Sequence, residues 1–399
     1  MNLHRICCSL AATILALGLT SAGLPDQEAA VAPKPQPAAA LQIEVCFVLD
    51  TTGSMGGLIA GAKAKIWSIA NQLIAAKPTP KLKIALVAYR DRGDGYITLV
   101  FDLTEDIDAV YSNLQKFVAG GGGDEPESVN QALHEAVTKI TWSPDREVLK
   151  IVFLVGDSPP HMNYGDDVKY PDVCQFAMQK DLIINTVQCG SNPRTTPIWQ
   201  EIAQRSEGKF VAISQTGDMQ VVSTPVDQDL AELNVALGAT LVPYGHDEQR
   251  RLVAAKQAAS EAAAAPAAAD RLAYNVALGR GVQGVGDLVD DLKDGKATLA
   301  TLKKEELPAD MQAMTVEQQR DFLQQKAEKR QQLQARVHEL LKQRQAFINT
   351  ELQRRLQAGK GNAFDVQVAR IIRDQARRKG IEYGDVAPPQ SKQAGGEGR

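Results

Sequence analysis

Three short stretches carry oxygen-bearing side chains where a packed core would have none. The first, Val48 to Gly57, reads VLDTTGSMGG and sets Asp50, Thr52 and Ser54 at alternate positions after an apolar run. The second, Gly120 to Ser128, reads GGGGDEPES and offers Asp124, with Glu125 beside it. The third, Val155 to His161, reads VGDSPPH and offers Asp157. Carboxylates and hydroxyls without cysteine or clustered histidine suit Mg2+, Mn2+ or Ca2+ rather than zinc. Mg2+ takes oxygen ligands in near-octahedral geometry and keeps several waters. A shallow cup of Asp50, Thr52, Ser54, Asp124 and Asp157 is therefore adequate. On a turning backbone the Asp-x-Thr-x-Ser spacing aims alternate side chains at one point, and Gly53 permits the curve.

Such loops need a scaffold that brings them to one edge. IEVCFVL is a continuous apolar run suited to a strand buried on both faces, and VLKIVFLVG is another. KLKIALVAYR and YITLVFDL flank the turn DRGDG as the two arms of a hairpin, and LIINTVQC and KFVAIS read as later strands. Apolar residues at helical spacing fill the segments between them, among them 106–118, 127–140, 172–180 and 197–206. Strands alternating with helices of this length predict an α/β fold, a doubly wound and mostly parallel sheet with helices on both faces. Asp50 and Asp157 end the two most apolar strands, and ligands bind such sheets beyond the carboxyl ends of the strands.

With those loops in that order, the chain resembles the von Willebrand factor type A domains. Their metal-ion-dependent adhesion site begins with Asp-x-Ser/Thr-x-Ser, which DTTGSM fits. The set DTTGSM, GGGDEPE and GDSPPH is similar to a subclass found in exported bacterial proteins and in some atypical kinases. The resemblance implies a domain over residues 41–245, an Mg2+ site (or Mn2+ or Ca2+) using the residues above, and recognition of a protein or surface-polymer ligand. It also implies that the helix near Asp227 to Gly238, which continues into the tail, couples tail contacts to site affinity. The second loop departs from the family: many members place threonine where Asp124 falls. An added carboxylate makes the cation less attractive to an acidic ligand.

Residues 246–399 lose the strand pattern and read as a helical region with a disordered tip, QSKQAGGEGR. Leu333, Val337, Leu340, Leu341, Ile348 and Leu352 form one stripe of a long amphipathic, coiled-coil-like helix. The basic excess from Lys303 to Lys379 reads as a solvated helix face. At the other end, Arg5 followed by LAATILALGL and small residues at Thr20 to Ala22 predicts a signal peptide over 1–22, with an uncleaved anchor as the alternative. A Pro/Ala-rich linker covers 23–40. The expected location is periplasmic or secreted, with no membrane span after cleavage.

A net charge of −4 over 399 residues provides no global positive field, which argues against a nucleic-acid partner. Beyond the signal lie Cys46, Cys174 and Cys189. A Cys174–Cys189 disulfide and two reduced thiols are both compatible with that order. Among enzymes, a haloacid-dehalogenase-like phosphotransferase needs an acid two positions after the first aspartate, where Thr52 stands. The glycine run lacks the Gly-Lys-Ser/Thr of a P-loop. His161 reads as a rim histidine, and the Arg92–Asp94 tripeptide RGD as turn residues. The expectation is thus a non-enzymatic protein, with a scaffold holding a purely structural metal, or an Mg-dependent phosphotransferase, as the alternatives.

Overall fold

The computed structural model describes residues 41–357 and 362–383. The expected signal peptide, linker and C-terminal tip lie outside the described residues. The first half alternates strands and helices: β1 (Gln42–Asp50), α1 (Gly56–Leu73), β2 (Ala76–Lys77), β3 (Lys81–Tyr89), β4 (Thr98–Thr104), α2 (Ile107–Gln115), α3 (Val129–Thr138), β5 (Leu149–Gly156), α4 (Tyr170–Gln179), β6 (Leu182–Cys189), α5 (Thr195–Arg205) and β7 (Phe210–Ile213). Helices follow: α6 (Asp227–Gly238), α7 (Asp247–Glu261), α8 (Ala265–Ala277), α9 (Leu288–Lys293), α10 (Ala309–Gln312), α11 (Val316–Gln357) and α12 (Phe364–Ala376). The short strand β8 (Glu382–Tyr383) closes the order.

The main sheet runs β4-β3-β1-β5-β6-β7, parallel throughout except for the β3–β4 hairpin. This is the expected mostly parallel α/β sheet followed by a helical region. β1 is flanked by β3 and β5, so the chain leaves it in both directions, and the crevice at its carboxyl end is the topological switch point. Alternate side chains of β1 serve opposite faces, as the pleat requires. Ile43, Val45, Phe47 and Leu49 enter one core, Cys46 and Val48 the other.

Helices α3, α4 and α5 cover the second core. The first core is covered by α1 and α2 together with α8 and α12 from the C-terminal region. Phe364 of α12 meets Phe47 at a ring separation of 6.3 Å, and Val368, Ile371 and Ile372 join the same cluster. Two polar locks hold α12: Gln375 exchanges hydrogen bonds with Asn185 at 2.8 and 3.1 Å, and Lys65 pairs with Asp365 at 3.1 Å. β8 then pairs antiparallel with β2.

The long helix α11 buries Val337, with Leu333, Leu340 and Leu341 packed around it, against α6 and α8. Its charge is not all solvated. Arg330 is buried against Asp287 and Asp290, and Arg344 against Asp227 and Asp270. The spacing of these arginines looks like that of any exposed helix face, so their pairing with residues 40 to 117 positions away was hidden from the sequence.

Cys46, Cys174 and Cys189 are free and buried. Cys174 belongs to one core and Cys189 to the other, on opposite faces of the sheet. Burial raises all three thiols, Cys174 to about 11. Among the described residues no helix is long and apolar enough to cross a membrane.

Candidate functional site

At the carboxyl end of β1 the backbone turns into a short 3-10 turn, Gly53–Met55. That turn folds the Asp-x-Thr-x-Ser spacing into a cluster. Asp50 Oδ1 accepts from the Thr52 amide at 2.8 Å and from its hydroxyl at 2.6 Å, and the Thr52 and Ser54 hydroxyl oxygens stand 3.4 Å apart. β1 and β5 run in register from Ile43 and Leu149 to Leu49 and Val155, so Asp50 and Asp157 leave neighbouring strands at the same edge. Asp157 is held by Ser158 at 3.0 Å and by Gln215 Nε2 at 2.7 Å, while Thr195 donates to its carbonyl at 2.8 Å.

The glycine loop closes over this turn. The Gly120 amide donates to the Thr51 carbonyl at 3.1 Å, and the Gly53 amide to the Gly121 carbonyl at 3.4 Å. Gly121 has φ +78°, and a Cβ there would overlap the Asp94 carboxylate. Glycine is required on both counts. Asp94, the last residue of RGD, also accepts from the Gly122 amide at 3.1 Å, and Arg92 pairs with Asp166 and Asp167. The tripeptide is built into the rim of the site.

The sequence reading did not include Glu127. It precedes α3, is 3% exposed, and is pinned through its backbone to Pro159 at 2.9 Å and to the His161 amide at 3.0 Å. One of its oxygens lies 3.6 Å from where a Gly122 Cβ would stand, a point also 3.5 Å from the Thr52 Cβ. Glu127 therefore faces the Asp50 turn. Of the other loop acids, Glu125 is engaged by Arg194 and Asn192. Asp124 projects outward, its carboxylate 64% exposed and 3.6 Å from His161 Nε2. Asp91, Asp124 and His161 offer ligand atoms that all lie within 4.8 Å of one another, a group that could hold a metal ion. Asp91 was hidden in the turn DRGDG. Its signal was its place just after a buried strand, as with Asp50 and Asp157.

Two carboxylate oxygens at the turn, Asp50 Oδ2 and Glu127 Oε2, are buried without a hydrogen-bond partner. Burial, with a smaller contribution from the charge of Asp157, pushes Asp50 up to about 7 against the hydrogen bonds from Thr52. Burial and then the charges of Asp50, Asp91, Asp94 and Asp157 push Glu127 up to about 9. Buried carboxylates that lack both donors and a counter-ion are costly unless a cation joins them. The donor set, carboxylates plus the Thr52 and Ser54 hydroxyls, fits a hard divalent cation.

A pH dependence follows. A carboxyl with a raised folded-state pKa stabilises the fold at low pH, and that contribution is lost as pH rises through the folded value. The window runs from 3.8 to about 7 for Asp50 and from 4.5 to about 9 for Glu127. Melting of chelator-treated protein should fall between these limits, less steeply in Glu127→Gln, and Mg2+ should flatten the slope. Parallel slopes for wild type and Glu127→Gln would contradict this.

The family model of the von Willebrand factor A domain matches residues 44–225. Two curated relatives are both von Willebrand factor A domain-containing protein 7. The one from Homo sapiens is 34% identical over 137 residues, which is 34% of this chain and 14% of that protein. The one from Mus musculus is 41% identical over 91 residues, 23% of this chain and 10% of that protein. The chain thus spans under a sixth of the length of either relative. Among solved structures, proximal thread matrix protein 1 of the mussel byssus is 17% identical with a TM-score of 0.34, covering 45% of this chain and 44% of that one. An aerotolerance-related membrane protein from Bacteroides fragilis is 13% identical with a TM-score of 0.31, covering 44% of this chain and 92% of that one.

Proposed function

We propose, on the premise that residues 44–225 are a von Willebrand factor A domain, that this is an exported, non-enzymatic protein that recognises a protein or surface polymer through a bound divalent cation, Mg2+ by preference. The observation that carries the reading is the pair of orphaned, buried carboxylate oxygens of Asp50 and Glu127 at the switch point of the sheet. Asp50, Thr52, Ser54, Asp157 and Glu127 would hold the cation, and Gln215 would orient Asp157. Export is supported by the charged and then apolar pattern of residues 5–19.

The charge balance narrows the ligand. Three carboxylates around one divalent ion leave the cup net negative, so a carbonyl or hydroxyl oxygen, or a group with a cation beside it, completes the shell better than a free carboxylate. Gly53, Ser54 and the loop 121–124 are exposed around the cup, and Val118 and Met162, 65% and 48% exposed, add apolar contact area on the flanking loops.

Calorimetric titration of the full chain with Mg2+, Mn2+ and Ca2+ tests the cup. Saturable binding that is lost in Asp157→Ala is expected. Absence of binding in the wild-type protein would leave the scaffold reading. The tail should not be deleted for this test, because α8 and α12 complete one core of the sheet.

A further inference from the structure

We propose that Asp91, Asp124 and His161 form a second cation site, separate from the Asp50 cup and suited to a borderline transition metal (Mn2+, Fe2+, Co2+ or Zn2+), with one side open to solvent. The imidazole carries the argument. His161 is 5% exposed, and its Nδ1 lies 2.9 Å from Asn163 Oδ1. With the Asn163 amide oxygen placed against Nδ1, and a carbonyl oxygen able only to accept, the ring proton is assigned to Nδ1 and a lone pair to Nε2.

That nitrogen has no hydrogen-bond partner. It faces Asp91 Oδ2 at 3.2 Å and Asp124 Oδ2 at 3.6 Å. Three acceptors thus confront one another, two of them on residues no more than 5% exposed. Lone pairs at such distances repel unless positive charge lies between them. A proton on Nε2 would need a straight N–H···O line, and the contact with Asp91 lies outside hydrogen-bond geometry. A metal ion has no such requirement. Ligands bound at roughly 2.1 Å stand about 3.0–3.4 Å apart around one ion. The His161–Asp91 separation falls in that range, and rotation of the exposed Asp124 side chain closes the other.

The surroundings orient these groups as outer partners orient metal ligands. Ser128 Oγ donates to Asp91 Oδ1 at 2.9 Å, and Tyr164 OH donates to Asp91 Oδ2 at 2.9 Å. The Tyr164 ring stacks on His161 at 4.1 Å and is covered on its own account by Arg92 at 4.0 Å. Imidazole with carboxylates favours the later divalent metals over Mg2+ and Ca2+, whereas the all-oxygen cup does the reverse. Three protein ligands, one of them exposed, leave coordination positions for water or a partner group.

The test uses the full chain, stripped with chelator and kept in excess Mg2+. Titrating Zn2+ by calorimetry, and Co2+ by its visible absorption, is expected to show one further equivalent bound. Asp124→Asn, at an exposed position, and His161→Gln should each weaken Zn2+ binding beyond the roughly 10- to 100-fold typical of losing an outer-shell partner, with Mg2+ binding retained. Asp50→Asn should do the converse. Unchanged Zn2+ affinity in Asp124→Asn and His161→Gln, or no uptake by the wild type above Mg2+, overturns the second site and leaves the cup untouched. Failure of Mg2+ binding with Zn2+ uptake intact overturns the cup alone.

Discussion

Asp50→Asn is expected to make the metal-free protein more stable while erasing the stabilisation that Mg2+ confers. The side chain is fully buried, and its Oδ2 has no donor. Displacing its pKa from 3.8 to about 7 costs on the order of 4 kcal/mol above neutrality, at about 1.4 kcal/mol per unit. Asparagine keeps the shape and the acceptor for both Thr52 hydrogen bonds. Its amide remains imperfectly paired, at about 1–3 kcal/mol, so a net gain on the order of 1–3 kcal/mol remains. The wild type at Mg2+ 100-fold above its Kd gains about 2.7 kcal/mol, and the variant gains nothing. Thermal melts with chelator and with Mg2+ decide the matter. A variant less stable than wild type in chelator, yet still raised by Mg2+, would mean that Asp50 is a structural residue and no ligand.

Arg271→Leu is expected to cost about 3–5 kcal/mol of stability. Arg271 on α8 grips Asp108 on α2 through two hydrogen bonds, at 2.8 and 2.7 Å, with both side chains buried. Asp108 also accepts from Trp67 Nε1 at 3.1 Å and Gln283 Nε2 at 3.3 Å. Removing the guanidinium strands a buried carboxylate and leaves Ser260 without the donor that Arg271 supplies at 3.0 Å. Replacing both partners, Asp108→Leu with Arg271→Leu, removes the uncompensated charge and should recover much of the loss. Urea unfolding should show a lower midpoint for the single variant with an unchanged slope. A double variant as unstable as the two single losses added together would show that the pair is not what docks α8.

The sheet and the first loop were legible because their signals are local. A buried apolar strand, a terminal aspartate and a hydroxyl at every second position lie within a dozen residues of one another. Glu127 and Gln215 were not legible. Their roles depend on loops that meet only when β1, β5 and β7 lie in one sheet, and each residue in isolation reads as an ordinary loop polar group. Asp124 illustrates the same limit from the other side. As the first acid after the glycines it was expected at the cup, and the structure sets it beside His161, reached through a strand pairing that no spacing encodes. The role of α12 was equally hidden. Its apolar positions announce a buried face, but the face it covers belongs to β1, more than 300 residues earlier.

That last arrangement governs the order in which the chain can fold. Tyr383 reaches back to hydrogen-bond the Leu73 carbonyl across 310 residues, and Phe364 caps the strand that is made first. Helices α1 and α2 cover that face of β1 early, but Phe47 lacks the ring of Phe364 until the last described helix has appeared. Contacts so distant in sequence slow folding, because loop closure comes before any gain from burial. The contacts that complete this core therefore form late, once most of the chain is present, and the sheet and the C-terminal helices mature together.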